Sequence, residues 1–233
     1  MFARRALLGD LSRVSRLLIV AVAAVGSLAA NAAPVPGQGT WETTLQARDI
    51  NGDGTVDAYY DTDLNITWLR DWNANGKQDW DTQVAWAAGL SVHGVSGWRL
   101  PSTLQPDEAC DLFVLAEPPY EKQGFNVNCT GSEMGHLWYI ELMNPTFALT
   151  NTGGFLNMQD HASGAYWSGT EYAPIVRFGW FFNTLFGLQD FSDKYNPLYA
   201  VAVRDGDVPE PATFALLGLG LVGIAASRRR LLS

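Results

Sequence analysis

Residues 176–184 read VRFGWFFNT. Phe178, Trp180 and Phe182 alternate along them, which puts three large rings on one face of an extended strand. Residues 165–172, AYWSGTEY, come before, and residues 198–205, LYAVAVRD, follow a glycine-marked turn. Together the three segments predict a C-terminal antiparallel sheet. Residues 58–69, AYYDTDLNITWL, predict a short hairpin turning at 61–64, and residues 97–100, GWRL, a short strand stopped by Pro101. Helices are expected between them. One is capped by Asp81 and runs through Val84 and Trp86 to Leu90. One lies around 107–115. A third starts at Ser132 and places Met134, Leu137, Ile140 and Leu142 on one face. A hairpin, then helices, then an antiparallel sheet is the α+β class, here a single compact domain with short helices.

The flanks differ in kind. Arg4, Arg5, Arg13 and Arg16 precede an uncharged apolar run over 17–28, and Ala30-Asn31-Ala32 is a small-residue cleavage pattern. Residues 1–32 therefore read as a secretory signal peptide, the alternative being an uncleaved anchor. Residues 33–40 form a linker, 41–207 the domain and 208–233 a tail. In the tail Pro209, Glu210 and Pro211 precede an uncharged stretch over 212–226 and then Arg228, Arg229 and Arg230. That order predicts a membrane helix whose arginines stay in the cytoplasm. Gly218, Gly220 and Gly223 match a dinucleotide fingerprint in letters, but no strand precedes them, so the glycines serve helix packing.

This tail resembles the PEP-CTERM sorting signal. The resemblance implies processing near Pro209, Glu210 and Pro211 by an exosortase, a membrane transpeptidase. It further implies export across the inner membrane of a Gram-negative bacterium, a membrane-anchored intermediate, and a final place at the cell surface or in the exopolysaccharide matrix.

Residues 33–209 carry 8 basic and 22 acidic side chains, a formal net charge of −14. So acidic a surface repels nucleic acid and sulfated polymers and suits divalent cations or neutral ligands. All 9 tryptophans fall in this segment, a density that argues for a folded core. Cys110 and Cys129 are the only cysteines, and in an oxidising compartment they are expected to pair; two separate buried thiols are the alternative.

Two acidic loops invite a metal. Residues 49–57, DINGDGTVD, offer Asp49, Asn51, Asp53 and Asp57 with the Thr55 carbonyl, and Gly54 stands at the turn. Residues 71–79, DWNANGKQD, offer Asp71, Asn73, Asn75 and Asp79. Both begin like a calcium loop but lack the bidentate acid at position 12, where Tyr60 and Thr82 stand. Calcium is the cofactor this pattern points to; paired Asx turns bonded to their own backbone fit it equally.

Residues 59–71 (YYDTDLNITWLRD), 85–90 (AWAAGL), 97–102 (GWRLPS), 166–172 (YWSGTEY) and 202–207 (AVRDGD) resemble, in order, the Lcl C-terminal-domain-like family of bacterial surface proteins. The resemblance implies a fold akin to C-type lectins and a role in adhesion. The charge of −14 offers no basic patch, so the family's link to sulfated glycans does not carry over, and a neutral extracellular glycan is the expected ligand. Catalytic constellations are thin. Glu133 and His136 stand three apart on the expected helix and can both face one metal, although a structural hydrogen bond is the commoner use. Ser168 lacks a nucleophile elbow. Gln105-Pro106-Asp107 copies a lectin triplet outside its lectin position. Trp72 and Trp80 flank the second loop, as core or as sugar platforms. The chain thus reads as a non-catalytic binding or adhesion protein; a glycan-active enzyme of lectin-like fold and a purely structural matrix protein are the alternatives.

Overall fold

The computed structural model describes residues 37–115 and 122–208. The signal peptide expected over 1–32 lies outside them, as do the start of the 33–40 linker and the tail with Pro209, Glu210, Pro211 and the apolar run. Among the described residues no helix is long and apolar enough to cross a membrane.

A short helix α1 (Trp41–Thr44) leads into strand β1 (Leu45–Arg48), which pairs antiparallel with β2 (Ala58–Asp61). Residues 49–57 are therefore a hairpin connection. β2 pairs in turn with β3 (Ile66–Leu69). Their turn spans 62–65, one residue later than expected. Asn65 closes it at a left-handed φ of 53°, and Asp61 Oδ1 accepts the N–H groups of Asp63 at 3.0 Å and Leu64 at 2.9 Å. All four residues of β3 are buried, as a central strand with two covered faces must be.

Helix α2 (Trp80–Gly89) begins at Asp79, not at Asp81. The Asp79 backbone is still extended while its carboxylate takes the Thr82 N–H at 2.9 Å; Asp81 already lies inside the first turn. Trp80, Gln83 and Ala87 face inward. Strand β4 (Trp98–Arg99) follows, as GWRL predicts.

The helix expected around 107–115 does not form. Leu112–Val114 is instead strand β5, paired with β6 (Gln123–Phe125). Local hydrogen bonds and a crosslink decide this. The buried Asp107 carboxylate accepts from the Ala109 N–H at 3.1 Å, the Gly131 N–H at 3.0 Å and the Ser132 hydroxyl at 3.3 Å, and Cys110 is disulfide-bonded to Cys129. Helix α3 (Glu133–His136) runs on into a π-helical turn, Leu137–Glu141, closed by the Leu142 N–H on the Leu137 carbonyl at 2.9 Å. The wider turn carries an extra residue, so Met134, Leu137 and Leu142 stay inside but Ile140 turns outward, 42% exposed.

β7 (Ala165–Glu171), β8 (Phe178–Asn183) and β9 (Leu188–Asp193) make an antiparallel meander. In β8 Trp180 and Phe182 are buried, as the alternation requires. β9 went unseen in the sequence because LQDFSD is largely polar. The last strand, β10 (Val203–Asp205), is shorter than 198–205 and inserts between β3 and β4, giving the order β1-β2-β3-β10-β4. The described residues are α+β, with few short helices and three antiparallel sheets. Aromatic rings fill the core. Trp68 stacks on Trp72 at 5.7 Å, and Phe155 and Tyr166 meet Trp72 edge-on.

The disulfide spans 19 residues of sequence, a loop whose closure constrains the unfolded chain by about 3 kcal/mol. The Cys110→Ser, Cys129→Ser double variant is expected to lose about that much stability in urea denaturation, and thiol alkylation of the unreduced wild type should label neither cysteine.

Candidate functional site

The two segments GWRLPS and YWSGTEY meet in space. The Ser168 hydroxyl and the Gly169 N–H both donate to the Pro101 carbonyl at 2.8 Å, and the Thr103 N–H donates to the Thr170 hydroxyl at 2.9 Å. The Trp80 indole N–H donates to the Ser168 carbonyl at 2.7 Å and locks α2 against the same seam. A pocket of about 280 Å³ opens there, lined by Arg99, Leu100, Ser102, Gly169 and Thr170 with Val84 and Ala88 of α2.

Arg99 is fully engaged at the edge of this pocket. It forks onto Glu133 at 2.7 and 2.9 Å and reaches Asp205 Oδ1 at 2.7 and 3.0 Å. Hydrogen bonding to Glu133 is the largest influence holding its guanidinium well above the ordinary range. The site thus combines an apolar wall of Val84, Ala88 and Leu100 with hydroxyl and amide groups and a neutralised cation. It can hold an uncharged polar ligand with an apolar face. Ser168 itself is buried, with its hydroxyl given to Pro101, and does not face the pocket.

The first acidic loop is folded onto itself. Asp49 accepts the N–H groups of Gly52, Asp53 and Gly54 at 2.7, 3.1 and 2.7 Å. Asp53 takes the Asn51 amide at 2.9 Å and the Thr55 N–H at 2.8 Å, and these bonds, Asn51 first, hold its carboxyl below the usual range. Asp57 turns back to the Ile50 N–H at 2.8 Å and to His93 Nε2 at 3.2 Å. The carboxylates of Asp49, Asp53 and Asp57 are not drawn into one cluster. The second loop is dispersed further. Asp71 accepts from the Asn73 N–H and the Asn157 amide, each at 2.9 Å. Asn75 donates to the buried Gln83 at 2.9 Å, and Asp79 caps α2. Trp72 and Trp80 beside this loop are core residues, 2% and 9% exposed, which removes them as sugar platforms.

Glu133 and His136 do not face one another. Glu133 is spent on Arg99 and on the Ser102 N–H at 2.7 Å, while His136 lies near Asp63 and Glu141. Sequence reading missed both of those acids: Glu141 shares a face with His136 only through the π turn, and Asp63 arrives from the turn between β2 and β3. Asp107, Cys110 and Cys129 also gather, but the disulfide occupies both sulfurs. Gln105 is tied to the Gly124 N–H and carbonyl, each at 2.8 Å, and Asp107 is buried, so the Gln-Pro-Asp triplet offers no sugar ligands.

Against known proteins, residues 207–230 match the PEP-CTERM protein-sorting motif. The motif implies export, a membrane-anchored intermediate and an exosortase as processing partner, and it includes Pro209, Glu210 and Pro211. No curated protein and no solved structure matches the chain.

The cap assignment separates two neighbouring acids. Asp79→Ala is expected to lower the urea midpoint, because the Thr82 N–H loses its partner, whereas Asp81→Ala should leave it within experimental scatter.

Proposed function

We propose that residues 41–207 form a non-catalytic binding domain, delivered to the cell surface or the extracellular matrix by the sorting tail, where it takes a neutral glycan in the pocket between GWRLPS and YWSGTEY. The observation that carries this reading is the sorting motif itself, which starts at 207, directly after β10 ends at Asp205. The pocket supports the ligand class. Its cation is already neutralised by Glu133 and Asp205, so a sulfate or carboxylate finds no open charge, while the hydroxyls and apolar wall suit a sugar ring. Insertion of the C-terminal strand beside the N-terminal hairpin, together with the quoted motifs, supports a lectin-like domain of the Lcl C-terminal type. Calcium enters as a stabiliser at Asp49, Asn51, Asp53, Thr55 and Asp57, where the pattern of oxygens and the exposure of the loop support weak binding of the extracellular class.

A neutral-glycan array probed with the processed protein, with and without millimolar calcium, tests the binding role. Ala88→Arg fills the mouth of the pocket from an exposed helix position and should abolish the signal while leaving the melting temperature unchanged. Any calcium-dependent rise in melting temperature should vanish in Asp53→Ala. Wild-type protein that binds no neutral glycan would overturn the ligand assignment.

The sorting fate has its own readout. Mass spectrometry of the surface fraction should recover chains lacking Arg228, Arg229 and Arg230; mature protein that keeps them contradicts exosortase processing.

A further inference from the structure

The π-helical turn after α3 does more than shift a hydrophobic face. It sets His136 and Glu141, five residues apart, on the same side of the helix, where an α-helix would splay them. The turn between β2 and β3 brings Asp63 to the same place. Ligand atoms of Asp63, His136 and Glu141 all lie within 4.8 Å of one another.

What these groups lack points to an occupant. Glu141 is 0% exposed, and neither carboxylate oxygen has a hydrogen-bond donor. His136 Nε2 is buried and also unpartnered. The nearest polar neighbours are already committed. Asp61 is itself an acceptor, holding the Asp63 and Leu64 N–H groups and the Trp68 indole, and the Thr44 hydroxyl, although it lies close to Glu141, donates to the Thr40 carbonyl at 3.1 Å. One proton between Glu141 and Asp61 answers a single oxygen and leaves the other, and the imidazole, bare. A cation meets all of them.

We propose that Asp63, His136 and Glu141 bind a divalent transition-metal ion of the zinc class. The imidazole decides the class. Calcium and magnesium take shells of oxygen, whereas zinc and its neighbours accept nitrogen beside carboxylate. Three protein ligands leave one tetrahedral position to water. The ion ties the β2–β3 turn to α3, two elements far apart in sequence. This site is separate from the glycan pocket and from the 49–57 loop, and it stands or falls without either.

The test uses the full chain after treatment with a chelator, titrated with zinc chloride alone, calcium chloride alone and magnesium chloride alone, and followed by calorimetry and thermal melting. Zinc is expected to bind in one equivalent and raise the melting temperature, and magnesium to do neither. Asp63→Asn, at an exposed turn position that leaves the fold intact, should weaken zinc by at least roughly tenfold, and Glu141→Gln and His136→Gln should abolish the shift. A calcium response that survives Asp63→Asn and disappears in Asp53→Ala, beside zinc binding that Asp63→Asn weakens, separates the two sites and supports the proposal. Absence of zinc binding by the wild type overturns the proposal, as does zinc binding unchanged in both Asp63→Asn and Glu141→Gln. Glu141→Gln that melts higher than a zinc-indifferent wild type would identify a shared proton instead.

Discussion

The Trp68 indole N–H donates to Asp61 Oδ2 at 3.0 Å, with both residues 0% exposed, and much of the fold is arranged around that bond. A buried carboxylate is tolerable only when its oxygens are supplied with donors. Asp61 obtains them from its own turn, through the Asp63 and Leu64 N–H groups, and from the tryptophan on the adjacent strand β3. The bond therefore fixes the turn and the ring together. Trp68 in its fixed pose stacks on Trp72, and Trp72 meets Phe155 and Tyr166, so one carboxylate sets the orientation of an aromatic chain that reaches β7. Burial first, and this carboxylate after it, make Glu141 costly to ionise.

Strands whose period came from large side chains were legible in the sequence. The β2–β3 hairpin, β4 and the aromatic strands β7 and β8 lie where alternation and turn residues place them. Elements decided by long-range ties were not. Residues 107–115 have helical spacing, but the crosslink to Cys129 and the inward Asp107 outweigh a weak local preference. β9 is held by pairing with β8 and has little apolar pattern of its own. The π turn leaves no periodic signature, because a single inserted residue looks like an ordinary amphipathic helix until the far end of the stripe faces solvent.

The same division holds for the sites. The tail was readable because its order of proline, apolar run and arginine is local. The acidic loops were readable as turns, yet their letters do not distinguish side chains aimed at a cation from side chains aimed at their own backbone. The pocket between GWRLPS and YWSGTEY depends on contacts between segments about 65 residues apart, such as Ser168 on Pro101, at a separation of 67. Nothing in either segment alone states that pairing. His136 was visible as a chemical group, but its neighbours were misassigned because Arg99 claims Glu133.

Val208 closes the described chain as a core residue, 3% exposed, with its N–H on Asp207 Oδ1 at 2.8 Å. Pro209 is the next residue. No slack separates the folded body from the recognition sequence. Extended chain spans at most roughly 3.6 Å per residue, so three residues after Val208 can add no more than about 11 Å of reach. A membrane transpeptidase working there meets the domain itself at its entrance. An enzyme that gripped the tail as far back as 207 would draw on residues the folded domain also uses, and the order of folding and cutting would then be a matter of relative rates. A domain that folds slowly presents a longer leash to the enzyme than one that folds first.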